Sequence, residues 1–354
     1  MMESILSSLS NKSKYVRSYI KPYVAAMLLT VERKNCTSMA RWSNTSITTL
    51  YAFLANGDKN IAYMEAYLLK EAQELAAKDP SADLVIDFTQ LQKWYARDIE
   101  NLSYDYNGCT SRSEKGLSIA VASLVGKNKT IPFDFRGWVQ KKYAGNKYIK
   151  KLEVVKAFII EIKKVLRFRR LLIDGAFAAE DFLAFLRELN IKFIMRIPSN
   201  RKIKKKGVEA QLKEHPALKL MRNERMKSTT AFYKGMRFFF TAHKRNKKDG
   251  EKETVYIVSN IKMKAEEYIS SYSRRSPIEK VFRTSKQSLG IGQCQVVDAI
   301  KQKAHIFAAF VAYTCLEITK VAIGAERPED IINIIRRDHH KPRHGCNSHE
   351  PAVA

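Results

Sequence analysis

Leu84-Val85-Ile86-Asp87-Phe88-Thr89 and Leu171-Leu172-Ile173-Asp174-Gly175-Ala176 share one pattern, an apolar run of strand type that ends in an aspartate. Short apolar runs bounded by polar residues are the mark of buried strands. Taken singly, an aspartate at such a position is a turn former or a cap. Two of them at the ends of adjacent buried strands also suit another task. Phosphoryl transfer with two divalent ions about 4 Å apart requires carboxylates held rigidly between them.

The elements around these runs give an order. After Asp87 come Leu117 to Val125 and Thr130 to Phe135, joined by Gly126-Lys127-Asn128-Lys129, which reads as a hairpin. Residues from Tyr148 to Phe168 follow helical spacing, with Ile149, Leu152, Val155, Phe158, Ile159, Ile162 and Leu166 on one face. The second aspartate run is followed by a helix over Ala178 to Asn190 and a strand at Phe193 to Ile197. The expected class is therefore α/β: three strands, helix, strand, helix, strand and a later acidic helix.

That later helix falls in Tyr272-Ser273-Arg274-Arg275-Ser276-Pro277-Ile278-Glu279-Lys280-Val281-Phe282-Arg283-Thr284-Ser285-Lys286, which sets a carboxylate and a phenol among cations. Ser276 reads as N-cap and Pro277 as the first helical residue, which leaves Tyr272 and Arg275 in the lead-in. Glu279 and Lys286 lie seven residues apart, two helical turns, and so share a face. Two roles are open to Glu279. In a capping box it serves only the backbone N–H groups of the helix start; as a free carboxylate it binds metal.

The spacing Tyr-x2-Arg-x3-Glu-x6-Lys, filled by Tyr272, Arg275, Glu279 and Lys286, resembles the signature of the bacterial insertion-sequence-four family, a branch of the DDE transposases and integrases. The resemblance singles out Asp87 and Asp174 as the first and second catalytic aspartates and completes a D-D-E triad with Glu279. It implies a ribonuclease-H-like catalytic domain, two Mg²⁺ (or Mn²⁺) ions as cofactors, and double-stranded DNA as partner, both transposon ends and target. It further implies that Tyr272, Arg275 and Lys286 contact end phosphates, with Arg274 a rival for the arginine role. The family works by cut and paste as a homodimer in a paired-end complex.

Domain organisation follows from the same reading. Residues 1–80 form a helical N-terminal region for DNA-end binding, 81–198 and 261–325 the catalytic domain, 199–260 a β-rich insertion and 326–354 a basic tail. The insertion carries strand-like runs at Thr229 to Tyr233, Met236 to Thr241 and Glu253 to Val258. Hairpin-forming members of the resembling family place a tryptophan in this insertion; here Trp42, Trp94 and Trp138 all lie outside it. Phe232, Tyr233 and Phe238 to Phe240 are then either base-stacking residues or core. Ser38 to Leu54 reads either as a helix-turn-helix exposing Ser46, Thr48, Thr49 and Tyr51, or as part of a plain bundle.

Composition points to a polyanionic partner. The 354 residues hold 63 lysines and arginines against 36 aspartates and glutamates, a net charge of +27 and a pI near 9.8. Five scattered cysteines speak for a reducing compartment. Tyr23 to Leu29 is too short for a secretory signal, and Ile306 to Ile318 falls short of the roughly 20 residues of a spanning helix. A cytoplasmic protein without a membrane partner is expected. The segment from Asp338 to Glu350 concentrates four of the seven histidines and Cys346, but its spacing fits no standard zinc module. Two other classes stay open: a ribonuclease-H-like nuclease without strand transfer, and a non-catalytic nucleic-acid-binding protein.

Overall fold

A computed structural model of the chain describes residues 2–9, 13–107, 110–246 and 250–340, and one mixed sheet of eleven strands organises it. Five helices come first: α1 (Met2–Ile5), α2 (Lys21–Leu29), α3 (Cys36–Ser43), α4 (Ile47–Ala55) and α5 (Gly57–Lys78). The sheet then begins with β1 (Asp83–Gln92), β2 (Ser103–Asn107), β3 (Arg112–Val125) and β4 (Thr130–Trp138). Next are α6 (Lys141–Ala144), α7 (Lys151–Val165), β5 (Leu171–Ile173), α8 (Glu180–Glu188) and β6 (Phe193–Ile197). Five strands follow, β7 (Lys202–Lys205), β8 (Val208–Gln211), β9 (Met226–Tyr233), β10 (Met236–Asn246) and β11 (Lys252–Ser259). The chain closes on α9 (Ala265–Ser273), α10 (Pro277–Gln287), α11 (Ala299–Ile323) and α12 (Pro328–His339). The histidine-rich tail from 341 onward, with its zinc question, lies outside the described residues.

The expected hairpin, both following helices and the strand at Phe193 to Ile197 stand where the pattern put them. The strands β2, β7 and β8 were not anticipated. Those of 202–259 join the same sheet, because β11 pairs antiparallel with β6 and β10, β9, β7 and β8 continue outward. One expectation is corrected: β1 does not stop at Asp87. Phe88 to Gln92 keep pairing with β3, from Ala120 to Gly116, so Asp87 lies in mid-strand.

Register sets the two aspartates side by side. Strand β1 runs parallel to β5 with Ile86 opposite Ile173, so Asp87 and Asp174 occupy equivalent places one residue further on. Gly175 lets the chain leave β5 close against β6, since a Cβ there would stand 3.1 Å from Arg196 Cβ. Alternation decides the face. Val85, Leu172, Ile194 and Ile257 pack with Tyr268 of α9 and Ile278 of α10, while Leu84, Ile86, Leu171 and Ile173 enter the main core. Two residues beyond Val85 and Leu172, the aspartates point to the side of α9 and α10.

The main core is built around α11, whose residues from Ala304 to Leu316 are almost all buried and which packs on α5, α2 and β4. Asp298 caps its start by accepting from Lys301 N–H, and Gly324 ends it in a left-handed turn. At 25 residues it is longer than the apolar run suggested and is long and apolar enough to cross a membrane, but 67% of its most apolar window is buried inside the protein. Helix α2, the early apolar run, is likewise core.

Asp83 opens β1 with a fully buried carboxylate that meets three guanidiniums: Arg169 at 2.9 Å, Arg170 at 3.1 Å and Arg274 at 2.9 Å. Removing one member of such a buried set leaves charges uncompensated. Asp83→Ala is expected to lower stability by about 3–5 kcal/mol in urea titration. An unchanged midpoint would show that the three arginines find water or other partners instead.

Candidate active site

Helices α9 and α10 are nearly continuous, and this shapes the site. Ser276 takes helical backbone angles (φ −58, ψ −28) and its side chain makes no cap hydrogen bond, which corrects the expected N-cap. The reason is local. Arg275 N–H donates to Tyr272 O, Ser276 N–H to Ser273 O, Ile278 N–H to Arg275 O and Glu279 N–H to Ser276 O, at 2.9–3.2 Å. With the backbone donors occupied in this tighter pattern, no capping box forms and the Glu279 carboxylate is left for other partners. Tyr272 accordingly sits in the last turn of α9, not in an irregular lead-in.

The two arginines of the junction divide their work. Arg274 turns inward to Asp83 and donates from Nη2 to Ser81 O (2.9 Å) and Val125 O (3.0 Å), which ties the junction to the sheet. Arg275 faces the site. Its Nη2 donates to Asp87 Oδ2 at 2.6 Å and its Nη1 to Glu279 Oε1 at 3.0 Å, so one guanidinium joins two of the three candidate carboxylates. Asp174 completes the neighbourhood electrostatically: it raises the Asp87 and Tyr272 pKa values and the Arg275 pKa. Among the described residues no three His, Cys, Asp or Glu side chains stand together as a ready metal cage. The cation that Asp87 and Glu279 share is Arg275.

Burial and like charge make this a strained electrostatic site. The Asp87 carboxyl is pushed up to about 6, first by burial and then by Asp174 and Glu279, against the pull of Arg275. Burial likewise pushes the Tyr272 phenol up to about 12. The Tyr272 hydroxyl and Arg275 Nε are buried and have no hydrogen-bond partner within the protein. Such groups are costly to leave unmet unless a ligand meets them. Lys286 lies exposed in the last turn of α10, about 10 Å along the axis from Glu279.

A cavity of about 390 Å³ opens beside these residues, lined by Tyr272, Arg275 and Glu279 together with Arg196, His243 and Arg245. The sequence placed none of the last three at the site. Arg196 stacks its guanidinium 5.7 Å from the centre of the Tyr272 ring. A signal for it existed, since it is the lone charge in Phe193-Ile194-Met195-Arg196-Ile197. Of the two from β10, His243 carried none and Arg245 showed only as one charge of the basic run Lys244 to Lys248; burial and Arg245 lower the His243 pKa. Of the aromatics from 232 to 240, Tyr233, Phe238 and Phe240 are core, and Phe232 is 48% exposed. In the N-terminal region, α3 and α4 are joined by the turn Asn44–Ser46 with Asn44 left-handed, and Ser46 caps α4 through Thr49 N–H. Ser46, Thr48 and Tyr51 are exposed and Thr49 half-buried.

Residues 6–219 match the family described as DDE superfamily endonuclease, and residues 131–315 match the transposase DDE domain. The first span contains Asp87 and Asp174, the second Asp174 and Glu279. No curated protein matches the chain.

The raised Asp87 pKa has a thermodynamic sign. Between its ordinary 3.8 and about 6 the folded protein keeps a proton that the unfolded chain has released, so stability falls as pH rises through this window. The loss amounts to about 3 kcal/mol at most. Asp87→Asn is expected to flatten the decline in urea midpoint between pH 4 and 6 relative to wild type. Parallel profiles for the two proteins would contradict the buried, proton-holding Asp87.

Proposed function

Because this chain belongs to the DDE superfamily of transposases and endonucleases, we propose that it is a DNA transposase whose reaction takes place at Asp87, Asp174 and Glu279. The observation that carries the proposal is that Asp87 and Asp174 each follow the last paired residues of adjacent parallel strands, Ile86 and Ile173, with Glu279 brought to Asp87 by a shared guanidinium. The strand order β4-β3-β1-β5-β6, antiparallel then parallel, supports a ribonuclease-H-like core, and β7 to β11 are its insertion. The Tyr-Arg-Glu-Lys spacing supports membership of the insertion-sequence-four branch.

The residues present fit divalent cations. Three carboxylates lie in one neighbourhood, one of them resisting ionisation because it is buried beside the other two, and a side-chain cation bridges Asp87 and Glu279. Asp87, Asp174 and Glu279 would hold two Mg²⁺ or Mn²⁺ ions, which activate the attacking oxygen and stabilise the leaving one. For this Arg275 releases Asp87 and turns to the DNA, where its fork can take two phosphate oxygens. The unpartnered Tyr272 hydroxyl donates one hydrogen bond to the same phosphate, and Arg196 holds the ring from behind. Lys286, two turns along α10, grips the backbone further from the cut. The α3–α4 pair reads the terminal inverted repeats, and two copies of the chain join two ends.

The test uses the purified protein, Mg²⁺ and duplex DNA carrying the inverted repeats that flank its coding sequence. Glu279→Gln and Asp174→Asn are each expected to abolish cleavage while leaving end binding at least as strong. Full cleavage by either variant would sink the assignment. Cleavage by wild type without joining of precut ends to a target would make the protein a nuclease.

A further inference from the structure

A second site lies at the outer edge of β3. Strand β4 leaves that edge at Trp138, opposite Ser118, and β2 takes it up at Ser103, opposite Gly116. Gly116 is where β1, β2 and β3 meet; a Cβ there would stand 2.3 Å from Leu91 O. The break between the two edge strands opens into a groove of about 530 Å³, the size of a ligand site, lined by Tyr104, Tyr143, Trp138, Arg97 and Lys147.

Its rings and charges are arranged for a particular kind of ligand. Tyr104 and Tyr143 are 40% and 46% exposed and stack on each other at 6.1 Å and 28°. Tyr106 follows Tyr104 on the same face of β2 and is 64% exposed, so the aromatic line continues along the edge. Lys151 Nζ lies 4.4 Å from the Trp138 ring. Between Asp134 and Glu153 the chain holds Arg136, Lys141, Lys142, Lys147, Lys150 and Lys151; Arg136 pairs with Asp134 and Glu161 and Lys151 with Asp105, so the charge offered to a ligand is that of Lys141, Lys142, Lys147 and Lys150. Open aromatic faces gain from bases that are not already stacked, and clustered cations gain from phosphates. A duplex offers the phosphates but keeps its base faces covered.

We propose that this groove binds unpaired DNA, with bases stacked on Tyr104, Tyr143 and Tyr106 and the backbone held by Arg97 and Lys147. The proposal rests on the reading that this chain acts on DNA. Asp87 is opposite Val121, and the groove opens three to five residues along the same strand, roughly 10–17 Å away. A strand that separates at the candidate active site can therefore lie along the β3 edge.

Fluorescence anisotropy on the full chain without divalent metal, with labelled oligo-dT and a blunt duplex of equal length, tests this. Tyr104→Ala with Tyr143→Ala is expected to weaken oligo-dT binding about tenfold or more and change duplex binding by less than about twofold. The matching pair of Tyr→Phe changes, which keep the ring faces, should bind as wild type. The surface change Lys147→Glu should also weaken oligo-dT binding. Wild-type affinity for oligo-dT in the double alanine variant, or an equal loss for both DNA forms, overturns the proposal. Wild-type protein that binds duplex but not oligo-dT overturns the groove alone; protein that binds neither overturns the DNA reading itself.

Discussion

Two consecutive arginines in the α9–α10 junction meet two aspartates four residues apart on β1, and the position of everything in the site depends on this clamp. Asp83 and Asp87 project from the same face of the strand, roughly 13 Å apart along it. Arg274 reaches back to the first and Arg275 forward to the second. Arg274 is structural: its other bonds are to the carbonyls of Ser81 and Val125, and its aspartate is fully buried. Arg275 is poised differently, between a half-hidden aspartate and a glutamate that is 64% exposed. The helix carrying Glu279 is thus fixed to the sheet by one arginine and tuned by its neighbour.

The second constraint is charge balance. The protein carries a net charge of +27, yet here one guanidinium joins two carboxylates, Asp87 and Glu279, and Asp174 adds its negative charge to theirs. A buried carboxylate beside like charges ionises reluctantly, and the raised Asp87 pKa reports this, first through burial and then through Asp174 and Glu279. In the proposed reaction the three carboxylates would draw in divalent ions, and the displaced Arg275 becomes available to phosphate. The unpartnered Tyr272 hydroxyl and Arg275 Nε fit that exchange, because both would be met by a phosphate.

Much of the fold was legible in the sequence because its central strands are apolar runs and its helices keep a clear period. What escaped was polar or short. Strand β2 reads Ser-Tyr-Asp-Tyr-Asn, β7 Lys-Ile-Lys-Lys and β8 Val-Glu-Ala-Gln, and none has an apolar run to betray it. Asp87 looked like a strand end because the apolar run stops there, but pairing with β3 carries the strand onward through Gln92. Ser276 looked like a cap because Ser-Pro before a helical run usually is one; a preceding helix that continues into the next supplied the hydrogen bonds instead. The split between Arg274 and Arg275 depended on spacing alone, and the structure sends one to Asp83 and the other to Asp87. His243 and Arg245 could not be placed at the site, since only the pairing of β10 with β11 brings them to the α9–α10 face.

Whether the carboxylates that Arg275 now bridges can hold metal is best decided by anomalous scattering from crystals of the protein grown with Mn²⁺ and a DNA end. The expected map places Mn²⁺ in direct contact with Asp87, Asp174 and Glu279, with the Arg275 guanidinium moved from Asp87 to a phosphate. A map with no Mn²⁺ on these carboxylates, and Arg275 still joining Asp87 to Glu279, would contradict it.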